Sequence, residues 1–174
     1  MLVQADCRPE AALTVPDGSF EDWVGPHLPR LRALALRLVG ESDAEDVLQD
    51  ALQAAWQLRS RFDPAAGSAA GWLLALVTDH AGRLNRKRRR RALLHQRIAG
   101  LPMEADSQLP DVDLERAIHR LSGRQRLAIE LFYFLDLPVA TVAEAMSCSA
   151  GSVKSLLFDA RRRLGRLLEG STDE

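Results

Sequence analysis

The chain has 174 residues, 47% hydrophobic and only 5% aromatic, with a formal net charge of -1, a balance that fits a globular protein and excludes disorder throughout. No apolar run approaches the roughly 20 residues of a membrane span, and the N-terminus has no basic segment followed by an apolar one, so no membrane insertion and a cytoplasmic location are expected. Cys7 and Cys148 form neither a metal spacing nor a disulfide framework, and no metal or cofactor is expected.

Residues 1–18 carry two prolines and no sustained period, the pattern of a disordered tail. Ser19-Phe20-Glu21-Asp22 then opens a helix whose apolar positions Leu31, Leu34, Ala35 and Leu38 run to Gly40, with a kink expected at Pro26 and Pro29. Ser42-Asp43-Ala44-Glu45 has the form of a capping box, and Val47, Leu48, Ala51, Leu52, Ala55 and Trp56 carry the next helix to about Arg59. A loop with Pro64 and Gly67 ends at Ser68, a candidate N-cap. Beyond it Trp72, Leu73, Leu76, Val77, His80, Ala81 and Leu84 predict the buried stripe of a longer helix. That helix runs straight into six consecutive cations, Arg86 to Arg91. His80 reads as a satisfied core residue, and Trp72 as core rather than a stacking platform.

The segment AGLPMEADSQLP, with Gly, two prolines and no period, marks a linker. After it, Asp111 is positioned to cap a helix with Leu114, Ala117, Ile118 and Leu121. Ser122-Gly123-Arg124-Gln125 opens another with Leu127, Leu131 and Leu135. Pro138 suits a first helical position before Val139, Val142, Ala143 and Met146; Ser147-Cys148-Ser149 breaks that period, and Ser149 caps a helix with Val153, Leu157, Ala160 and Leu164 on one face. Two short helices around a tight turn make a helix-turn-helix. The expected fold is therefore all-α, two small helical domains joined by a flexible linker, the second containing the helix-turn-helix. The boundaries fall at 1–18 for the tail, 19–98 for the first domain, 99–111 for the linker and 112–170 for the second domain.

Two features bear on function. A helix-turn-helix reads DNA with the start of its second helix, here Gly151, Ser152, Lys154 and Ser155, with Arg161 and Arg162 following near the phosphates; the alternative is a helical hairpin with solvated arginines. The cationic block, including Arg83, Arg86, Lys87, Arg88, Arg89 and Arg90, lies between acidic flanks and suits phosphate binding. Its alternative is a solubilising helix end favoured by the helix dipole. No nucleophile-base motif or Gly-rich phosphate loop appears, and the four histidines are dispersed, so no catalytic residue and no enzyme activity is expected.

Three stretches in this order, DAEDVLQDALQAAW, GWLLALVTDHAGRLNRKRRRR and LSGRQRLAIELFYFLDLPVATVAEAMSCSAGSVKSLLFDARRRL, resemble an extracytoplasmic-function (group IV) sigma factor of the sigma-70 family. The resemblance covers residues 20–168. It implies a specificity subunit for bacterial core RNA polymerase, whose first domain binds the polymerase clamp and opens the minus-ten promoter element while the second reads the minus-thirty-five element. Carried over by motif position, Asp46, Gln49 and Asp50 face the polymerase; the bland reading is that they only solvate a helix. Asp79, Arg83, Arg86, Lys87, Arg88, Arg89 and Arg90 fall in the minus-ten region. The chain departs from the family pattern at Asp79, where Asn is frequent, at Arg83, where an acid is usual, at Leu156 and Asp159, where bases are usual, and at Ser147, where Gly is common. An anti-sigma factor is a further partner that such a protein takes. Two other readings are a sigma-like protein that sequesters an anti-sigma factor and a plain helix-turn-helix transcription regulator, the second of which leaves the first domain unexplained.

Overall fold

The computed structural model describes residues 19–99 and 113–169, and within them every regular element is helical. Helix α1 (Phe20–Val24) begins at Ser19, whose Oγ accepts the Asp22 N–H at 3.2 Å. A 3-10 turn over Gly25–His27 leads into α2 (Leu28–Val39). The single kinked helix expected there is thus two helices, because Pro26 and Pro29 each lack the N–H that would continue the ladder.

Gly40 ends α2 at φ 81, a left-handed conformation that costs glycine nothing, and the chain reverses directly into α3 (Glu41–Leu58). The capping box expected at Ser42 does not form. Gly40 supplies the N-cap, its carbonyl accepting Ala44 N–H at 3.1 Å, so Ser42 falls inside the first turn and its hydroxyl donates to the Asp43 carboxylate at 2.6 Å. Ser68 does cap as expected: its Oγ accepts Gly71 N–H at 3.0 Å at the start of α4 (Ala69–Ala99). These 31 residues make a rod about 46 Å long.

Leu31, Leu34 and Ala35 of α2, Val47, Leu48 and Ala51 of α3, and Leu73, Val77 and Ala81 of α4 close the first core. Trp72 packs at its edge, with ring centroids 5.7 Å from both Trp23 and Phe62. It is a packing residue, and offset aromatic contacts of this kind add to the area it buries.

In the second half, α5 (Asp113–His119) precedes α6 (Gly123–Ile129), which opens on a complete capping box between Ser122 and Gln125. The proposed Asp111 cap, the tail 1–18 and all but Ala99 of the proposed linker lie outside the described residues; Ala99 itself is the last residue of α4. Helix α6 widens into a π turn over Glu130–Phe134, where Leu135 N–H reaches Glu130 O at 3.1 Å. Helix α7 (Val139–Ala145) starts one residue later than expected, with Pro138 extended at ψ 147 as its N-cap. Helix α8 (Ala150–Glu169) is capped by Ser149, which accepts Ser152 N–H at 3.1 Å. Val142, Val153, Leu157 and Ala160 are buried between α7 and α8.

The turn between those helices passes through Ser147 at φ 49. A non-glycine residue is strained there. Ser147→Gly is expected to raise stability by roughly 0.5–1 kcal/mol, the relief of strain less the extra freedom glycine has when unfolded. Urea unfolding checks this, and a lowered midpoint would contradict it.

Candidate DNA and polymerase interfaces

On α3 the apolar positions face α2 and α4, which leaves Asp46, Gln49 and Asp50 together on the exposed side. Spacing of three and four residues makes them one acidic, hydrogen-bonding patch. Asp50 also approaches His80 of α4, with Oδ2 at 3.9 Å from Nδ1. His80 was expected to be a satisfied core residue, and it is not: its Nε2 is buried without a hydrogen-bond partner among the described residues. The ring is wedged on the stripe of α4 that faces α3, with only a carboxylate at one end. Burial, and then the positive charge of Arg83, lower its pKa, against the opposing pull of Asp50 and Asp79.

The cations of α4 do not form a uniform surface. Arg88 is committed to the first domain, donating to Val39 O at 3.2 Å and pairing with the Asp43 carboxylate. The Ser42 hydroxyl bond first, and Arg88 as well, hold the Asp43 carboxyl below its ordinary pKa. Arg83 pairs with Asp79 one turn away at 2.5 Å, so the acid that departs from the family pattern is matched by the base that also departs from it. Arg86, Lys87, Arg89, Arg90 and Arg91 are exposed. They form the free part of the block.

On α8 the residues expected to meet DNA, Gly151, Ser152, Lys154 and Ser155, are exposed, while Val153 and Leu157 point into the core. Arg161 and Arg162 are exposed further along, Arg161 bonding back to Leu157 O at 3.3 Å. Phe158 lies one turn past Ser155 and is 60% exposed. An aromatic side chain that open on a helix already marked by its cap and basic flank extends the candidate face to a position the spacing argument did not include.

Among the described residues no group of three or more His, Cys, Asp or Glu is placed to hold a metal ion, and no helix is long and apolar enough to cross a membrane. Sequence reasoning missed the contacts between the two halves. Glu144 of α7 accepts both the N–H and the hydroxyl of Ser68, at 3.0 and 2.6 Å, and Arg37 of α2 pairs with Glu130 of the π turn. One local signal was present, a glycine at position 71 in the first turn of a helix.

The model of sigma-70 region 2 matches residues 23–91, and that of sigma-70 region 4 matches residues 111–164. The chain is 28% identical over 159 residues to the ECF RNA polymerase sigma factor SigK of Mycolicibacterium vanbaalenii, covering 86% of this chain and 80% of the relative. It is 29% identical over 150 residues to the ECF RNA polymerase sigma factor SigL of Mycobacterium tuberculosis, covering 82% and 85%. Among solved structures, the sigma factor RpoE in complex with the anti-sigma factor NepR from Bartonella quintana aligns with a TM-score of 0.63 at 28% identity, over 86% of this chain and 96% of that one. The two region models follow one another in the order of the two helical halves, and the two relatives are matched over 80% and 85% of their length. The chain belongs to the sigma-70 family, in its extracytoplasmic-function group of RNA polymerase sigma factors.

Proposed function

We propose that this sigma factor joins core RNA polymerase through the exposed patch of Asp46, Gln49 and Asp50, and promoter DNA through two surfaces. Arg86, Lys87, Arg89 and Arg90 of α4, flanked by the Asp79–Arg83 pair, hold the opened minus-ten strand against its phosphates. The start of α8, with Gly151, Ser152, Lys154 and Ser155 toward the bases and Arg161 and Arg162 toward the backbone, enters the major groove at the minus-thirty-five element. Domains at 19–98 and 112–170 divide these tasks. The protein acts by binding and not as an enzyme, and it works in the cytoplasm with the polymerase. An anti-sigma factor, the partner that RpoE has in its co-crystal structure, is the proposed regulator.

The observation that carries this reading is the placement of family regions 2 and 4, in order, on a helix with a free cationic face and on a capped helix with a free N-terminal turn. The test is transcription from a random promoter library by core polymerase with the purified protein. Sequence-dependent transcripts are expected; failure to bind core polymerase would overturn the reading, and binding without initiation would favour a decoy that sequesters an anti-sigma factor. In the same system Asp50→Arg is expected to lower competition for core polymerase at least tenfold, because a reversed charge meets the partner's cations. Its circular dichroism should be unchanged, since Asp50 is exposed. Unchanged competition would remove Asp50 from the interface.

A further inference from the structure

Val153, Leu157 and Ala160 fix the buried side of α8. At about 100° per residue, Gly151, Ser155, Phe158 and Arg162 share the opposite side. Asp159 stands beside that line, about 40° round from Ser155 and about 6 Å further along the axis, and it is exposed. It lies between the residues assigned to bases and the arginines assigned to the backbone. Leu156 and Asp159 both stand where a base is usual in the family pattern, and burial sorts them. Leu156 packs partly buried against the core, while Asp159 looks outward.

The side chains on this face differ in what they offer a base edge. Gly151 offers none, and Ser152 Oγ lies 2.9 Å from Ser149 Oγ, inside the cap. Lys154 can only donate a hydrogen bond, Ser155 can donate or accept, and the Asp159 carboxylate can only accept. Arg162 and Arg163 follow Asp159 at the spacing that commonly neutralises a helical acid, yet no ion pair among the described residues includes it. Arg161 and Arg166 instead bond back to Leu157 O and Arg162 O. A carboxylate held unpaired toward a duplex is repelled by phosphates whatever the sequence, and that repulsion is offset only where a base supplies a donor. In the major groove the donors are the amino groups of adenine and cytosine. Adenine N6 lies beside the N7 acceptor of its own base, which opposes the second carboxylate oxygen, whereas cytosine N4 has only a carbon on that side. Guanine and thymine present acceptors, so the carboxylate favours cytosine over all three.

We propose that Asp159 is a specificity-determining residue of the minus-thirty-five contact, its carboxylate accepting a hydrogen bond from the N4 amino group of a cytosine in the major groove. This rests on the function proposed above, which places α8 in that groove. The acid exchanges part of the uniform attraction to phosphate for discrimination at one base pair.

The test is transcription by core polymerase with the full chain, on a promoter library randomised through the minus-thirty-five element, for the parent and for Asp159→Ala and Asp159→Asn. Asp159 is exposed and alanine favours helix, so the variants keep the fold. The parent is expected to favour cytosine at one base pair by about tenfold over the other bases. Asp159→Ala should erase the preference at that base pair alone, and Asp159→Asn should move it toward adenine, whose N6 and N7 an amide matches. A cytosine preference kept in Asp159→Ala would overturn the role, as would a parent that favours cytosine nowhere in the element. So would an alanine variant that raises transcription from every sequence alike, the signature of phosphate repulsion alone. In those outcomes the other positions are still read and the proposed function stands. Transcripts without preference at any position of the element, or failure to bind core polymerase, would instead overturn the proposed function and this role with it.

Discussion

Replacing Arg86, Lys87, Arg89 and Arg90 with glutamine is expected to weaken single-stranded DNA binding by roughly two to three orders of magnitude at 0.1 M salt and to flatten its salt dependence by about three units of log K per log salt. Each neutralised phosphate on a single strand releases condensed counterions and contributes about 0.7 to that slope, so four lost contacts account for the change. All four side chains are exposed, and glutamine keeps helix propensity close to that of lysine and arginine. The rod should therefore remain intact. Arg88 is left out because its guanidinium is spent on Val39 O and Asp43, and its loss would act on the join between α2 and α4 as well as on DNA. Binding titrations at several salt concentrations check the result. An unchanged slope would return the block to a solvating helix end.

Much of this arrangement was legible in the sequence because it is local. Caps at Ser19, Ser68, Ser122 and Ser149 fix where helices start through hydrogen bonds spanning three residues, and the apolar period fixes which face turns inward. The capping box at Ser42 failed for a reason the motif does not contain: Gly40, two residues earlier, takes a positive φ and starts the helix first. The π turn at Glu130 was hidden in an apparently regular helical period. Its carboxylate would make burial costly, and Glu130 can be buried because Arg37, 93 positions away, supplies the opposite charge. No periodicity signals a partner so distant in sequence.

The candidate faces divide along the same line. Asp46, Gln49 and Asp50, carried over by motif position, and Gly151, Ser152, Lys154 and Ser155, read from the helix-turn-helix pattern, lie exposed. The sequence treats the cations of α4 as one block, whereas tertiary pairing sorts Arg88 and Arg83 from Arg86, Lys87, Arg89 and Arg90. Gly71 shows the converse. A glycine in the first turn of a helix weakens it, and the compensating contact with Glu144 appears only when the second domain is in place.

Leu34→Ala is expected to destabilise the first domain by roughly 2–5 kcal/mol, the range for deleting a fully buried leucine side chain. Leu34 has no exposed surface and belongs to α2, which packs on both α3 and α4, so neither neighbour can collapse into the gap without moving the other. A loss of that size is a large part of the 5–15 kcal/mol by which a typical domain is stable. With a urea slope of about 1–3 kcal/mol/M, the midpoint should fall by at least about 0.7 M. The second domain buries Leu131, Val142 and Val153 among its own helices, and it meets the first along the packed face between α4 and α7 and at polar anchors on Arg37, Ser68 and Thr78. The gap lies among α2, α3 and α4, so the second domain is expected to outlast the first. The chain's fluorophores separate the two events: all three tryptophans, Trp23, Trp56 and Trp72, lie in the first half, and the single tyrosine, Tyr133, in the second. Tryptophan emission of the variant is expected to change at lower urea than the far-ultraviolet circular dichroism, which follows both halves. Coincident transitions would instead show that the docked halves unfold as one cooperative unit.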